Sequence, residues 1–280
     1  MTDDPISSTE HQPSGERYTH GYHEVIVGSY MRRTAEACAG FLLPRLRPDM
    51  VLLDLGCGPG TITSGLARRV GRVVGLDASA EMTDAARNHA ADRGIGNATF
   101  EVGSAYDLPW SDDSFDVVYA HQVLQHLSEP VRALREARRV LKPGGIVAVR
   151  DSDYETMVHA PVTEAIVRWR QLYHQVARAN GGEPDAGRNL LSWVTAAGFA
   201  DPEVTTSSVS HADAQGRAFW GEMWAVRVID SDFARHAVDH GLSTRAELQE
   251  ISDAFRRWST QADGFWAYLC GEVVATCPST

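Results

Sequence analysis

Two carboxylates and three glycines are spaced to do chemistry together. Asp54 stands two residues before Gly56 in Asp54-Leu55-Gly56-Cys57-Gly58-Pro59-Gly60, and Asp77 closes the next apolar run, Arg72-Val73-Val74-Gly75-Leu76-Asp77. Glycines let a backbone turn tightly and approach a ligand closely. A helix beginning just after such a loop offers free N–H groups that favour an anionic group. A carboxylate at position 54 can face a cation and would be unwelcome beside a pyrophosphate. One at position 77, at a strand end, can accept hydrogen bonds from both hydroxyls of a ribose. Gly103-Ser104-Ala105-Tyr106-Asp107-Leu108-Pro109 follows a third apolar run, where the edge of an adenine would lie.

The elements that must position these residues are legible as alternation. Val51-Leu52-Leu53-Asp54-Leu55 reads as a buried parallel strand. Helical 61–69, strand 72–77, helix 79–93, strand 99–102, strand 115–120, helix 130–141 and strand 146–150 follow. That order predicts an α/β fold with a Rossmann-like, doubly wound sheet, which binds ligands beyond the carboxyl ends of its strands. Helices are expected over 160–179 and 187–197, then a strand over 204–209. Residues 214–262 are mostly helical in pattern and rich in aromatics, including Phe219, Trp220, Trp224, Phe233, Phe255 and Trp258; a strand over 265–275 closes the chain. Before the first strand, residues 24–43 have helical spacing up to Pro44.

Asp54–Gly60, Asp77, Gly103–Pro109, Asp113-Ser114-Phe115-Asp116 and Leu141-Lys142-Pro143-Gly144-Gly145 together resemble the class I S-adenosylmethionine-dependent methyltransferases. The similarity is greatest to the ubiquinone/menaquinone-biosynthesis-like (type 11) branch. It covers about residues 50–150 in detail. It implies a seven-stranded sheet with an antiparallel last strand, plus a helical insertion covering the substrate. The chain then divides into a disordered tail (1–15), an N-terminal helical lid (16–48), the core (49–212), the insertion (213–263) and the closing strand of the core (264–280).

The resemblance implies S-adenosyl-L-methionine as cofactor and S-adenosyl-L-homocysteine as product. Gly56, Cys57, Gly58 and Gly60 would line the methionine part, with Asp54 facing its amino group. Asp77 would bind the ribose, with Ala78 and Met82 beside the adenosine. Gly103, Ser104 and Ala105 would flank adenine; Ser104 replaces the family's usual acid and offers a weaker acceptor than a carboxylate. Tyr18 and Arg33 would close over the cofactor, Arg33 toward its carboxylate, as part of a lid with His20, Tyr22 and His23.

His121 and Gln122 follow the fourth strand, where the loop faces the methyl group. His121 is the candidate general base, since an imidazole titrates in the right range; His126 is assigned to packing. Asp151, Asp153 and Tyr154 follow the fifth strand. Asp151 and Tyr154 are candidate catalytic groups, and Asp153 is a candidate for holding a substrate amine or hydroxyl. Asp151 or Asp153 could equally cap the next helix. Trp220 and Trp224, four residues apart, would share one helix face and line a partly apolar substrate pocket.

Composition narrows the substrate. Lys and Arg number 26 against 37 Asp and Glu, a net charge of -11, which would repel a nucleic-acid backbone or an anionic membrane surface. The four cysteines show no zinc spacing, and no metal is expected. They read as reduced thiols of a cytoplasmic protein. No run is long and apolar enough to span a membrane. The acceptor is expected to be a small molecule, a secondary metabolite or a quinone-like or aromatic compound, methylated on O, N or C. The oligomeric state, a homodimer included, is open. A dinucleotide-dependent oxidoreductase fits poorly, because its fingerprint needs a glycine where Thr61 stands. A protein using the cofactor as scaffold for a reaction other than methyl transfer would carry the same loop.

Overall fold

The computed structural model describes residues 17–19, 28 and 30–279. Its centre is built from short runs of branched and aliphatic residues that are buried on both faces: β1 (Val51–Leu55), β2 (Arg72–Asp77) and β4 (Phe115–His121), with β3 (Ala98–Val102) as a more exposed edge strand. Leu52, Leu53, Val73, Val74, Val117 and Val118 are essentially inaccessible. Burying each such side chain contributes about 1.5–3 kcal/mol. β5 (Leu141–Ala160), β6 (Ala200–His211) and β7 (Phe265–Thr276) complete one seven-stranded sheet of order β3-β2-β1-β4-β5-β7-β6. β7 runs antiparallel to both its neighbours, and the pairs among β1–β5 are parallel. This is the α/β architecture expected from the alternation.

Helices pack both faces: α1 (Ala35–Cys38), α2 (Thr61–Ala67), α3 (Ala80–Asp92), α4 (Pro130–Val140), α5 (Glu164–Ala179) and α6 (Ala186–Ala196). Their starts follow capping chemistry. Ser79 accepts the N–H of Met82 to open α3, and Pro130 stands in the first turn of α4. Between β6 and β7 lie α7 (Ala214–Arg227), α8 (Asp232–Asp239) and α9 (Arg245–Ser259), opened by Asp213, Ser231 and Thr244. Phe233, Phe255 and Trp258 are fully buried there, in one apolar cluster with Trp169 of α5 and Trp266 of β7. Among the described residues, no helix is long and apolar enough to cross a membrane.

Two expectations change. The helix over 24–43 is not continuous: Thr34 caps the four-residue α1, Ala39 leaves helical geometry, and a 3₁₀ turn follows at Leu43–Arg45. Val25, Ile26 and the tail over 1–15 lie outside the described residues. The second change bears on the site. The fifth strand does not stop at Arg150 but runs to Ala160, pairing with β7 on both sides of an irregularity between Asp153 and Val158. Asp151 and Asp153 are therefore strand residues. They cap no helix, and Thr163 occupies the N-cap position of α5.

Candidate active site

β1 ends at Leu55, and the chain must reverse at once into α2. Gly56, Gly58 and Gly60 take φ of 71°, 52° and 75°, the left-handed region that an L side chain rarely enters. A Cβ on Gly56 would lie 2.3 Å from Val123 Cγ2, whereas Gly58 has open space around it. The loop is pinned to β2. Gly56 and Cys57 donate to Leu76 O, and Gly58 N–H donates to Asp77 Oδ2 at 2.9 Å. Asp77 Oδ1 accepts Ser79 N–H, also at 2.9 Å. The ends of β1 and β2 are thus joined through one carboxylate.

The loop borders a cavity of about 1310 Å³ that opens beyond the carboxyl ends of β1, β2 and β4, where open α/β sheets hold ligands. Asp54, Gly56, Cys57, Gly58, Asp77 and Ala78 line one end of it. Met82, Gly103, Ser104 and Ala105 line it further along, as do Tyr18 and Arg33. Gly60 is not part of the wall. A Cβ there would meet Ala86 Cβ at 2.8 Å, so this glycine serves the close packing of the α2 start against α3. Ser104 Oγ accepts Tyr106 N–H at 3.1 Å, which spends part of its capacity within its own turn. His20, Tyr22 and His23 lie outside the described residues.

Asp54 is only 2% exposed and accepts the hydroxyl of Thr63 at 2.6 Å, its one hydrogen-bond donor among the described residues. Burial pushes its carboxyl up to about 7, against the Thr63 hydrogen bond. Burial raises Asp77 as well, opposed by the N–H groups of Ser79 and Gly58. A buried acid, Asp54, and a half-buried one, Asp77, make this end of the cavity receptive to a cation and to hydroxyl groups.

The middle of the cavity is a polar chain. Arg33 Nη2 donates to Gln122 Oε1 at 2.6 Å, and Gln122 Nε2 donates to Ser152 Oγ at 2.8 Å. Gln122 takes φ of 55° directly after β4, aiming its side chain across the cavity mouth of the strand. His121 lies in the wall, stacked with Tyr119 and 3.5 Å from Arg150 Nη1. Burial, then the charges of Arg33 and Arg150, hold its pKa well below the usual imidazole range. It is neutral at pH 7 and a weak proton acceptor. His126, assigned to packing, also lines the cavity, from a 3₁₀ turn over Leu124–His126, with Tyr18 set edge-on against it at 4.8 Å.

β5 supplies the floor, and strand alternation decides which residues reach it. Arg150, Ser152 and Tyr154 line the cavity, while Asp151 and Asp153 are absent from its wall. Asp151 is fully buried behind the strand, accepting Gln125 N–H at 3.4 Å, and burial pushes it up to about 8. Asp153 is held by Arg188 through two hydrogen bonds of 2.6 and 2.7 Å. The expected catalytic role of Asp151 and substrate contact of Asp153 are not supported by this placement. Arg150 and Ser152 take their place, and a strict two-residue period continued past Arg150 is the signal that would have found them. Tyr154 stacks on Tyr173 at 4.0 Å, and burial pushes its hydroxyl up to about 12, so it stays a neutral donor.

The far end is aromatic. Phe219, Trp220 and Trp224 of α7 line the cavity together with Met223 and Arg227. Trp220 and Trp224 meet edge to face at 6.0 Å, the one-turn spacing of residues four apart.

Sheet order, glycine loop and cavity define a class I S-adenosylmethionine-dependent methyltransferase. Residues 46–198 match the family model of the methyltransferase domain, and the chain belongs to that family. It is 32% identical over 269 residues to an uncharacterized methyltransferase of Schizosaccharomyces pombe, spanning 92% of this chain and 95% of that protein. It is 36% identical over 143 residues to the 27-O-demethylrifamycin SV methyltransferase of Amycolatopsis mediterranei, which covers 49% of this chain and 52% of that one. The solved structure of YcgJ from Bacillus subtilis shares the fold with a TM-score of 0.58 and 19% identity, over 86% of this chain and 98% of that one.

Proposed function

We propose that the chain methylates an O, N or C atom of a small molecule with an aromatic or otherwise apolar body. The observation that carries this reading is the continuity of the cavity: one space of about 1310 Å³ runs from the acids Asp54 and Asp77 to the aromatic wall of α7. A bound S-adenosylmethionine supplies an electrophilic methyl group on a sulfonium. The residues present fit it. Gly58 leaves open space beside the loop, Asp77 sits where hydroxyl groups can donate to it, and Asp54 is a buried acid that pairs with no cation among the described residues. In this reading Met82, Ser104 and Ala105 flank the adenosine, and Arg33 and Tyr18 close over the methionine end.

The chain's own contribution to catalysis is alignment and exclusion of water. Holding two reactants in line can lower a barrier by about 7–11 kcal/mol. His121 is too weak a base for efficient proton removal. The residues therefore suit an acceptor that is already nucleophilic, such as an amine or an acidic phenol, with Tyr154 and Gln122 as hydrogen-bonding groups beside it. Similarity to the 27-O-demethylrifamycin SV methyltransferase of Amycolatopsis mediterranei supports a small-molecule acceptor. The four free, buried cysteines support work in the cytoplasm.

The test is a screen of small aromatic amines, phenols and quinols with methyl-labelled S-adenosylmethionine. Label is expected in at least one of them, with S-adenosylhomocysteine formed in equal amount. Tight cofactor binding with no label transferred to any acceptor would overturn methyl transfer in favour of a scaffold role for the cofactor.

A further inference from the structure

Arg227 closes the last turn of α7, is 5% exposed and lines the cavity. Buried arginines are ordinarily matched by a carboxylate. Arg150, the other deeply buried arginine of this wall, obeys that rule, with Glu272 at 3.1 Å and Ser207 at 3.0 Å. Arg227 does not. Among the described residues it forms no ion pair; its Nε–H has no acceptor, and Nη2 reaches only the thioether of Met223 at 3.7 Å. Its guanidinium lies over the Trp224 ring at 4.6 Å, a contact that offsets only part of the cost of desolvating a charge.

The surroundings have the same bias. The carboxylates that line the cavity are Asp54 and Asp77, near the carboxyl ends of β1 and β2, Glu81 at the start of α3, and Asp107 in the loop after β3. Among the described residues, the end beneath α7 has none, and Trp220 Nε1 and His211 Nε2, on two further wall residues, have no hydrogen-bond partner. That end therefore combines apolar rings with an unmatched positive charge, which is complementary to a flat apolar anion.

We infer that the acceptor carries a carboxylate, which docks on Arg227 while its apolar body lies against Trp220 and Met223. This rests on the reading of the α7 end as the acceptor site. Arg227 is placed as a binding residue; no bond is made or broken there.

The probes are 1-naphthoate and 1-naphthamide, equal in shape and different in charge. Each is titrated by calorimetry into the full chain saturated with S-adenosylhomocysteine, whose own binding is measured first. Naphthoate should bind about tenfold or more tightly than naphthamide, the scale of a charge-assisted hydrogen bond. Arg227→Met should remove that preference, as should Arg227→Gln, and Arg227→Lys should retain part of it. Without probe, Arg227→Met should melt no lower than the parent, because it removes an unmatched buried charge. Equal binding of both probes by the parent protein would overturn the inference with no variant needed; so would a preference that survives in Arg227→Met or Arg227→Gln. Because no turnover is read, either failure leaves methyl transfer standing, and failure of S-adenosylhomocysteine to bind would count against the cofactor reading instead.

Discussion

The carboxylate of Asp77 grips the backbone N–H of Gly58 at 2.9 Å, so the residue that ends β2 also shapes the loop that follows β1. One side chain thus does two jobs, fixing the loop and presenting acceptors to the cavity. Asp77→Ala should lower the affinity for S-adenosylmethionine at least 100-fold by calorimetry, since a charge-assisted contact and the loop geometry go together. Asp77→Asn should lose less. Unchanged affinity in Asp77→Ala would remove the ribose assignment.

Asp54 makes the binding depend on pH. Its carboxyl is pushed up to about 7 by burial, and only the ionised form pairs with an ammonium group. Affinity for the cofactor should therefore weaken as pH falls below about 7, approaching tenfold per unit. Asp54→Asn should bind more weakly and show a flat profile between pH 6 and 8. A profile that stays steep in the variant would place the titrating group elsewhere.

His121 should not shape the rate profile. Its imidazole is held well below the usual range by burial and by Arg33 and Arg150, so it is neutral across pH 6–9. His121→Gln should cost no more than about tenfold in turnover and leave the pH dependence unmoved, a smaller loss than removing a general base brings. A limb near pH 6–7 that disappears in the variant would restore the histidine as base.

The glycines differ in what they tolerate. Gly56→Ala places a Cβ 2.3 Å from Val123 Cγ2 at positive φ, while Gly58→Ala meets only the strain of φ 52° in open space. Denaturant titration should show a loss of about 2–4 kcal/mol for Gly56→Ala and about 1 kcal/mol for Gly58→Ala. Equal losses would mean that Val123 yields freely.

Asp151 should destabilise the protein as pH rises. Its folded pKa, about 8, lies above the value for an unfolded chain. The folded state therefore holds the proton longer, and stability is fully present below about pH 4 and declines as pH rises toward 8. Asp54 acts with the same sign. Asp151→Asn should gain about 1 kcal/mol or more over the parent at pH 8 and nothing at pH 4, by urea unfolding. A variant less stable at pH 8 would contradict the placement of this acid.

The cofactor half of the site was legible in the sequence because its parts are local. Asp54, Gly56 and Gly58 lie at one strand end and the turn directly after it, and Asp77 ends a strand recognisable from its own residues. Position in a loop and strand-end chemistry are properties of a few consecutive residues. The resemblance groups Gly60 with Gly56 and Gly58, and only the packing of α2 against Ala86 separates it from its neighbours. The acceptor half depends on facts that no short window holds. Where β5 ends is decided by its pairing with β7, more than a hundred residues away in sequence; Ser152 pairs with Cys270. With the strand extended, alternation brings Arg150 and Ser152 to the cavity and turns Asp151 and Asp153 away. Arg227 looks like an ordinary helix-ending cation until the fold buries it with no ion pair among the described residues.

The helices over the acceptor end rise from strands that keep pairing beneath them. Val158–Ala160 of β5 lies against Phe265–Ala267 of β7, and His211 of β6 against Trp266. Trp266 in turn packs on Trp169, Trp220 and Trp258. Transplanting only residues 212–264 from a relative would sever the recipient's tryptophan cluster from the strand ends that it grips. A chimera meant to exchange acceptor preference needs its crossovers inside β5, β6 and β7, so that the outer halves of these strands travel with the helices they carry.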